Sequence, residues 1–237
     1  MGRFILNCDL GEHESAKQTE RLMALVDAAN VCCGAHAGGE AKTRSTLELA
    51  KRYGVLVGAH PGLAVAGGRG AVLPSVQAFD ALLCDQLESF CRIASEVGVA
   101  VCYVKLHGTL YHAVEQAPEL AEVFLQRIKS MDTSVGIFAL AGGTFAPIAR
   151  ASGLRVWEEL FADRGYTADG HLVPRDQPGA VIEDLPVAVD RIQQWLDSGK
   201  LPVGDGQLMP LHGDTLCVHS DSPEALKLLE ALRPIVG

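Results

Sequence analysis

The sequence predicts an α/β fold, a distorted (β/α) barrel of seven or eight parallel strands, and three observations point to it. Short apolar runs of four to eight residues alternate with helical apolar patterns along the whole chain. Seven or eight such units in 237 residues match the scale of a closed barrel, whereas an open doubly wound sheet, the competing architecture, would need fewer strands. No Ser/Gly/Pro-rich linker, low-complexity tract or repeat separates them, so residues 1–237 read as a single domain.

The elements follow in order. FILNCD (4–9) is the first strand, and Ser15 caps a helix whose apolar stripe includes Leu22, Met23, Leu25 and Val26. ANVCC (29–33) is the second strand, followed by a helix over 41–53; VLVGAH (55–60) is the third, followed by a Gly-rich loop. Pro74 opens the longest helix, whose apolar residues from Val76 to Val97 recur every three or four positions until Gly98 ends it. AVCYVKLH (100–107) is the fourth strand, with a helix over 118–131 after it. SVGIFAL (134–140) is the fifth, and Gly142-Gly143-Thr144 opens a short helix. VWEELF (156–161) is the sixth, followed by a polar excursion from Asp163 to Gly179. A helix over 186–198 and a strand near 214–219 lead to a final helix started by Ser222 and Pro223.

Hydrophobic residues make up 48% and charged residues 21%, a globular composition that excludes a disordered, collagen-like or coiled-coil chain. The net charge of −9 argues against a nucleic-acid surface. No apolar run reaches the ~18 residues of a membrane span. Acidic residues interrupt the apolar stretch of MGRFILNCDLGE, so it reads as a strand rather than a signal peptide. The seven cysteines include no C-x-x-C pair and sit mostly in apolar segments. They read as reduced thiols in a cytoplasmic protein.

In parallel α/β folds the working side chains project from the C-terminal ends of strands. Asp9, His36, His60, His107 and His219 all fall there, the histidines mostly in glycine-containing contexts such as GAHAG (34–38) and GAHP (58–61). A carboxylate with two or three imidazoles can hold a divalent metal or divide acid and base work, and the spacing leaves both open. Lys105 lies two residues before His107, so both face the barrel interior. A lysine there needs either an anionic ligand, the favoured reading, or a structural partner such as Asp9 or Glu159. The amides of Gly142-Gly143-Thr144 and the Gly67-Gly68-Arg69-Gly70 loop are candidate anion sites, and no P-loop occurs.

Six blocks carry a resemblance: NCDLGE (7–12), AANVCCGAHAG (28–38), GAHPG (58–62), VKLHGTLY (104–111), EELFADRGYTADGHLVPR (158–175) and CVHSD (217–221). In this order they resemble the LamB/YcsF family. The resemblance implies a barrel similar to the glycoside hydrolase/deacetylase-like barrels. It implies hydrolysis of 5-oxo-L-proline to L-glutamate driven by ATP with Mg2+, in the role of an A component working with B and C subunits. Asp9, His36, His60, Lys105 and His107 are then the expected catalytic set. Glu12, Gly142, Gly143, Glu159, Asp163, Arg164, Arg175 and His219 are expected to bind substrate or phosphate. A bound divalent ion would fall to Asp9, His36 and His60. The chain departs from the family pattern at His13, Ala35, Gly39, Leu106, Ser220 and the loop Leu63-Ala64-Val65-Ala66, which leaves a related lactam as an alternative substrate. Two other functions compete: a stand-alone metal-dependent deacylase or amide hydrolase, and a non-catalytic substrate-presenting subunit. Self-association is left open.

Overall fold

Seven strands follow one another in the expected order and close on themselves. In the computed structural model, which describes residues 4–204, 206–222 and 224–236, they are β1 (Ile5–Leu10), β2 (Ala28–Cys32), β3 (Leu56–His60), β4 (Val101–Val104), β5 (Gly136–Leu140), β6 (Val156–Phe161) and β9 (Thr215–His219). Every pairing is parallel, and β9 hydrogen-bonds to both β6 and β1, sealing the barrel. There is no eighth barrel strand among the described residues. After β6 the chain instead builds a separate antiparallel pair, β7 (Lys200–Val203) and β8 (Gln207–Pro210). Pro202 and Pro210 lack the N–H a central strand must donate, and glycines at positive φ (Gly204, Gly206) reverse the chain, so this pair serves as a short ribbon outside the barrel.

Among the described residues eight α-helices wrap the strands. α1 (Ala16–Met23), α3 (Val76–Val97) and α7 (Leu185–Ser198) are capped by Ser15, Ser75 and Asp184, whose side-chain oxygens accept N–H groups of the first turn. Pro74 therefore precedes the cap of α3 rather than opening the helix. α2 (Glu40–Tyr53) and α3 stop at Gly54 and Gly98, both left-handed. α5 (Pro118–Lys129) starts on its proline, and α6 (Phe145–Ala151) follows the Gly-Gly-Thr turn. α4 (Thr109–Gln116), directly after His107-Gly108, is an element the periodicity does not separate from α5. For α8 (Ala225–Val236) the expected starter Pro223 lies outside the described residues. Among the described residues no helix is long and apolar enough to cross a membrane.

β4 is shorter than expected, yet the backbone keeps its ladder: Lys105 N–H donates to Ala59 O (3.0 Å) and His107 N–H to Pro61 O (2.8 Å). The alternation that aims Lys105 inward therefore survives beyond the last formal strand residue.

The main core fills the layer between strands and helices, where α3 buries Phe79, Leu83, Leu87 and Phe90. Inside the barrel, Tyr103 and Phe138 stack at 3.8 Å with Ala28 as a separate apolar plug. Above the plug the interior turns polar. Tyr103 Oη donates to Asn30 Oδ1 (2.7 Å), and Asn30 Nδ2 donates to Asn7 Oδ1 and Asp9 Oδ1 (both 2.7 Å). Asn7 Nδ2 then donates to Glu159 Oε1 (3.0 Å) and Thr215 Oγ1 (2.7 Å). A buried network of this kind is stable only when its members find partners, and it fixes the acids above it.

Gly58 in β3 faces the Tyr103 ring, and a Cβ there would run into it. Gly58→Ala is expected to cost about 1–3 kcal/mol through overpacking, read as a lowered urea midpoint. A wild-type midpoint would show that the ring has room to move.

Candidate functional site

The last residues of the strands converge on an open cavity of about 720 Å³, within the ~300–1,000 Å³ span of small-molecule sites. Its floor is Asp9, Lys105, His60 and His219, and its wall carries Arg69, Arg164 and Arg175.

Lys105 is the centre of the floor and is only 2% exposed. Its Nζ lies 2.9 Å from Asp9 Oδ1, 3.0 Å from Glu159 Oε1 and 3.0 Å from Cys217 Sγ. Burial works against the ammonium, but Asp9, Cys217 and Glu159 together hold its pKa well above the usual lysine value. The two acids respond differently. Burial raises both; in Asp9 the charges of His60 and Lys105 reverse the effect and hold the carboxyl well below the carboxylate range. In Glu159, fully enclosed, burial prevails over Lys105 and the pKa is raised. Glu159 Oε2 and the Tyr111 hydroxyl are buried without a hydrogen-bond partner among the described residues. The ligand-facing and ion-paired readings of Lys105 therefore combine: the side chain lines the cavity and is already held by two carboxylates. Glu159 sits beneath it and does not line the cavity.

Beside Lys105, His219 is held by Asp163. Asp163 Oδ1 lies 2.9 Å from His219 Nδ1, and its Oδ2 accepts the His219 backbone N–H at 3.0 Å. Burial raises the Asp163 carboxyl, but His219 outweighs it and the net shift is downward. Because Nδ1 is engaged, His219 turns Nε2 toward Asp9, 4.0 Å from Oδ2. Phe161, the last residue of β6, stacks on the imidazole at 5.5 Å. Asp163 is thus an orienting group behind a histidine and does not itself line the cavity, unlike its expected place at the substrate.

The metal set expected from sequence is extended rather than replaced: His36 and His60 come together, and Asp9 Oδ2 lies 3.4 Å from His60 Nε2. Glu12, His36, His60 and His107 form one buried cluster, while Asp9 groups with Cys217 and His219. Glu12, expected at the substrate, is the acid of the histidine cluster. Its Oε1 lies 2.9 Å from His36 Nε2, 3.3 Å from His107 Nδ1 and 3.9 Å from His60 Nε2. Burial raises the Glu12 carboxyl, but hydrogen bonds from His107 and His36 dominate and hold it far below the usual range.

Gly142 and Gly143 are also corrected, since their turn is occupied by the protein's own acids. Gly142 N–H donates to Glu158 Oε2 (3.2 Å), and the Glu115 carboxylate accepts from Thr144 Oγ1 and Phe145 N (both 3.0 Å). A Cβ at Gly143 would meet Glu115 Oε1 at 2.5 Å, so the turn is built around that side chain. Neither glycine lines the cavity. Arg164 does, although two backbone carbonyls also hold it: Nε donates to Ala180 O (2.8 Å) and Nη2 to Val173 O (2.6 Å). Burial brings its pKa down to about 10. Arg175 and Arg69 share one acid, Asp221 Oδ2, at 3.0 and 3.2 Å. Asp221 stands in the CVHSD block, but its role as the joint between two loops depends on tertiary geometry that no spacing displays.

Comparisons with known proteins agree with this architecture. The sequence model of the LamB/YcsF family matches residues 5–236. The chain is 37% identical over 234 residues to the A component of 5-oxoprolinase from Bordetella pertussis, covering 96% of this chain and 92% of the relative. It is 39% identical over 233 residues to the A component of 5-oxoprolinase from Azorhizobium caulinodans, with the same coverage. Among solved structures it is similar to the lactam utilization protein from Thermus thermophilus, at a TM-score of 0.87 and 31% identity over 98% of this chain and 97% of that one.

Proposed function

The chain belongs to the LamB/YcsF family, and from that premise we propose that it is the A component of an enzyme that opens 5-oxo-L-proline to L-glutamate at the expense of ATP, together with B and C subunits. The observation that carries this reading is the cavity itself, whose floor joins an Asp-held histidine to a buried lysine and whose wall bears three guanidinium groups. That combination suits a small anionic substrate whose reaction develops more negative charge.

A five-membered lactam is an unactivated amide, so the site must stabilise charge on its oxygen and deliver water to its carbon. Lys105 is placed for the first task, because its charge is fixed by Asp9 and needs no reorganisation as the oxygen turns negative. His219 is placed for the second: Asp163 holds Nδ1, leaving Nε2 to take a proton from water. Asp9 is the weaker base, since its carboxyl is held well below the usual range. Arg69 and Arg175 are suited to the substrate carboxylate and to phosphate once they turn from Asp221.

The donor chemistry fits ATP with Mg2+. Arg69, Arg164 and Arg175 would hold the phosphates, and Glu115, Asp169 and Asp176 on the same cavity offer the oxygen ligands Mg2+ prefers. When bound, ATP would supply a phosphoryl group that, placed on the carbonyl oxygen, makes the lactam carbon electrophilic enough for water to add and the ring C–N bond to break, a second water then releasing phosphate.

The test is reconstitution of the chain with its B and C partners, 5-oxoproline and ATP, followed by a glutamate assay. Glutamate is expected to appear only with ATP present, and a His219→Ala chain is expected to fall to background. No glutamate above background from the wild-type chain would overturn the assignment, and equal turnover by His219→Ala would place the base elsewhere. Turnover of a different lactam but not 5-oxoproline would move the substrate, in line with the divergent loop at 63–66.

A further inference from the structure

We propose that Glu12, His36, His60 and His107 form a four-ligand, tetrahedral site for a divalent ion of the zinc class, adjoining the Lys105–His219 floor through His60. The four come from four consecutive strand ends: Glu12 follows β1, His36 follows β2, His60 ends β3 and His107 follows β4. Their ligand atoms all lie within 4.8 Å of one another.

A count of hydrogens carries the argument. His60 Nδ1 lies 2.8 Å from Lys105 O, and His107 Nε2 lies 3.0 Å from Gly67 O. A carbonyl oxygen only accepts, so both of these nitrogens bear the hydrogen. The opposite nitrogens, His60 Nε2 and His107 Nδ1, face each other at 2.9 Å. In neutral rings those two atoms carry lone pairs and repel, so the geometry calls for a positive centre between them. An outer N–H given to a backbone carbonyl is also the usual support of a metal-bound histidine.

The spacing agrees. Zinc at 2.0–2.1 Å from four nitrogen or oxygen ligands sets ligand–ligand edges of about 3.3–3.4 Å. The edges here are 2.9 Å (His60 to His107), 2.9 Å (Glu12 to His36), 3.3 Å (Glu12 to His107) and 3.9 Å (Glu12 to His60). A proton on His107 Nδ1 would be shared between His60 Nε2 and Glu12 Oε1 and leave His36 to its own hydrogen bond with Glu12, whereas a metal ion uses all four donors at once. Three imidazoles and a carboxylate are a borderline donor set that suits zinc better than magnesium. Cys32 Sγ, 3.4 Å from His36 Nε2, stays outside the set because its proton goes to Ala37 O at 3.0 Å. All four donors are buried, and although His60 and His107 border the cavity, four protein donors fill a tetrahedron without calling on a further ligand. The rings are also held in place: His36 and His107 stack at 3.9 Å, and a Cβ on Gly62 or Gly68 would collide with one of them.

The test reads metal, not turnover, so it stands or falls apart from the proposed activity. The purified chain is equilibrated with zinc, dialysed and analysed; about one equivalent is expected to remain. Cobalt in its place is expected to give the visible bands of a tetrahedral ion. A His36→Ala/His107→Ala double variant is expected to lose affinity at least ~100-fold, while His219→Ala keeps a full equivalent. Should the double variant not fold, the wild-type chain decides: zinc is expected to raise its melting temperature and a chelator to lower it. Less than about a tenth of an equivalent in the wild-type chain would mean that a proton bridges the two histidines and would overturn the site. So would retention of metal by the folded double variant, or its loss from His219→Ala.

Discussion

Lys105→Met is expected to destabilise the fold by about 3–5 kcal/mol, a fall of roughly 6–20 °C in melting temperature for a chain of this size. The methionine keeps the stem's length and its apolar contacts and removes only the charge. What remains is Asp9, 4% exposed, with Asn30 and His60 as its near partners and no fixed cation at Oδ1. Glu159 contributes less to the loss, because burial already raises its pKa and it is the more easily neutralised of the two acids. This asymmetry gives a second measurement. Adding Asp9→Asn to Lys105→Met is expected to restore more than half of the lost stability, whereas adding Glu159→Gln is expected to restore less. Urea midpoints of the three variants check it. A Lys105→Met chain as stable as wild type would show that the ammonium is held for a ligand rather than for the fold.

Asp163→Asn is expected to slow the reconstituted enzyme by about 10²–10⁴-fold with the barrel intact. The carboxylate accepts at both oxygens, from His219 Nδ1 and from the His219 backbone N–H. An asparagine that keeps the backbone contact turns its NH2 toward Nδ1, which moves the hydrogen to Nε2 and removes the lone pair water would need. The loss is expected in kcat rather than KM, because Asp163 does not line the cavity. Combining it with His219→Ala is expected to add nothing beyond His219→Ala alone, since the two act as a unit. Acid stability gives an independent reading. The folded Asp163 pKa lies below its unfolded value of about 3.9, so the carboxylate stabilises the fold above that pH. That contribution disappears as pH falls through the lowered value, and the variant lacks it. Wild-type turnover in Asp163→Asn would place the base elsewhere.

The barrel is legible in the sequence because each strand is a short apolar run and each helix has an apolar stripe, so two periodicities suffice. The inward aim of Lys105 follows from the same alternation and survives because Lys105 and His107 continue the ladder past β4. What escapes depends on turns. Gly11, at φ 80°, bends the chain after β1 and carries Glu12 to the histidines, leaving Asp9 with Lys105. No periodicity reports such a left-handed corner. The Gly142-Gly143 turn misleads for the opposite reason: glycine does mark a close approach there, but the approaching group is Glu115 from α4. The β7–β8 ribbon is hidden by its prolines and by the shortness of its strands, of which β8 is largely exposed.

Closure of the barrel by β9 against β1 has a consequence for how the chain is made. Ile5 pairs with Thr215, and Asp9 pairs with His219. During synthesis β1 therefore waits as an open edge until some 210 further residues have emerged, a long-range contact that folds slowly and invites intermolecular pairing meanwhile. Lys105 can already meet Asp9 in that interval, but the histidine that turns toward Asp9 arrives last. A nascent chain stalled before residue 215 carries two unpaired edges, at β1 and β6, and no Asp163–His219 pair. The order of the strands thus leaves both edges open until the end of synthesis, and the Asp163–His219 pair forms only in molecules that have already sealed themselves.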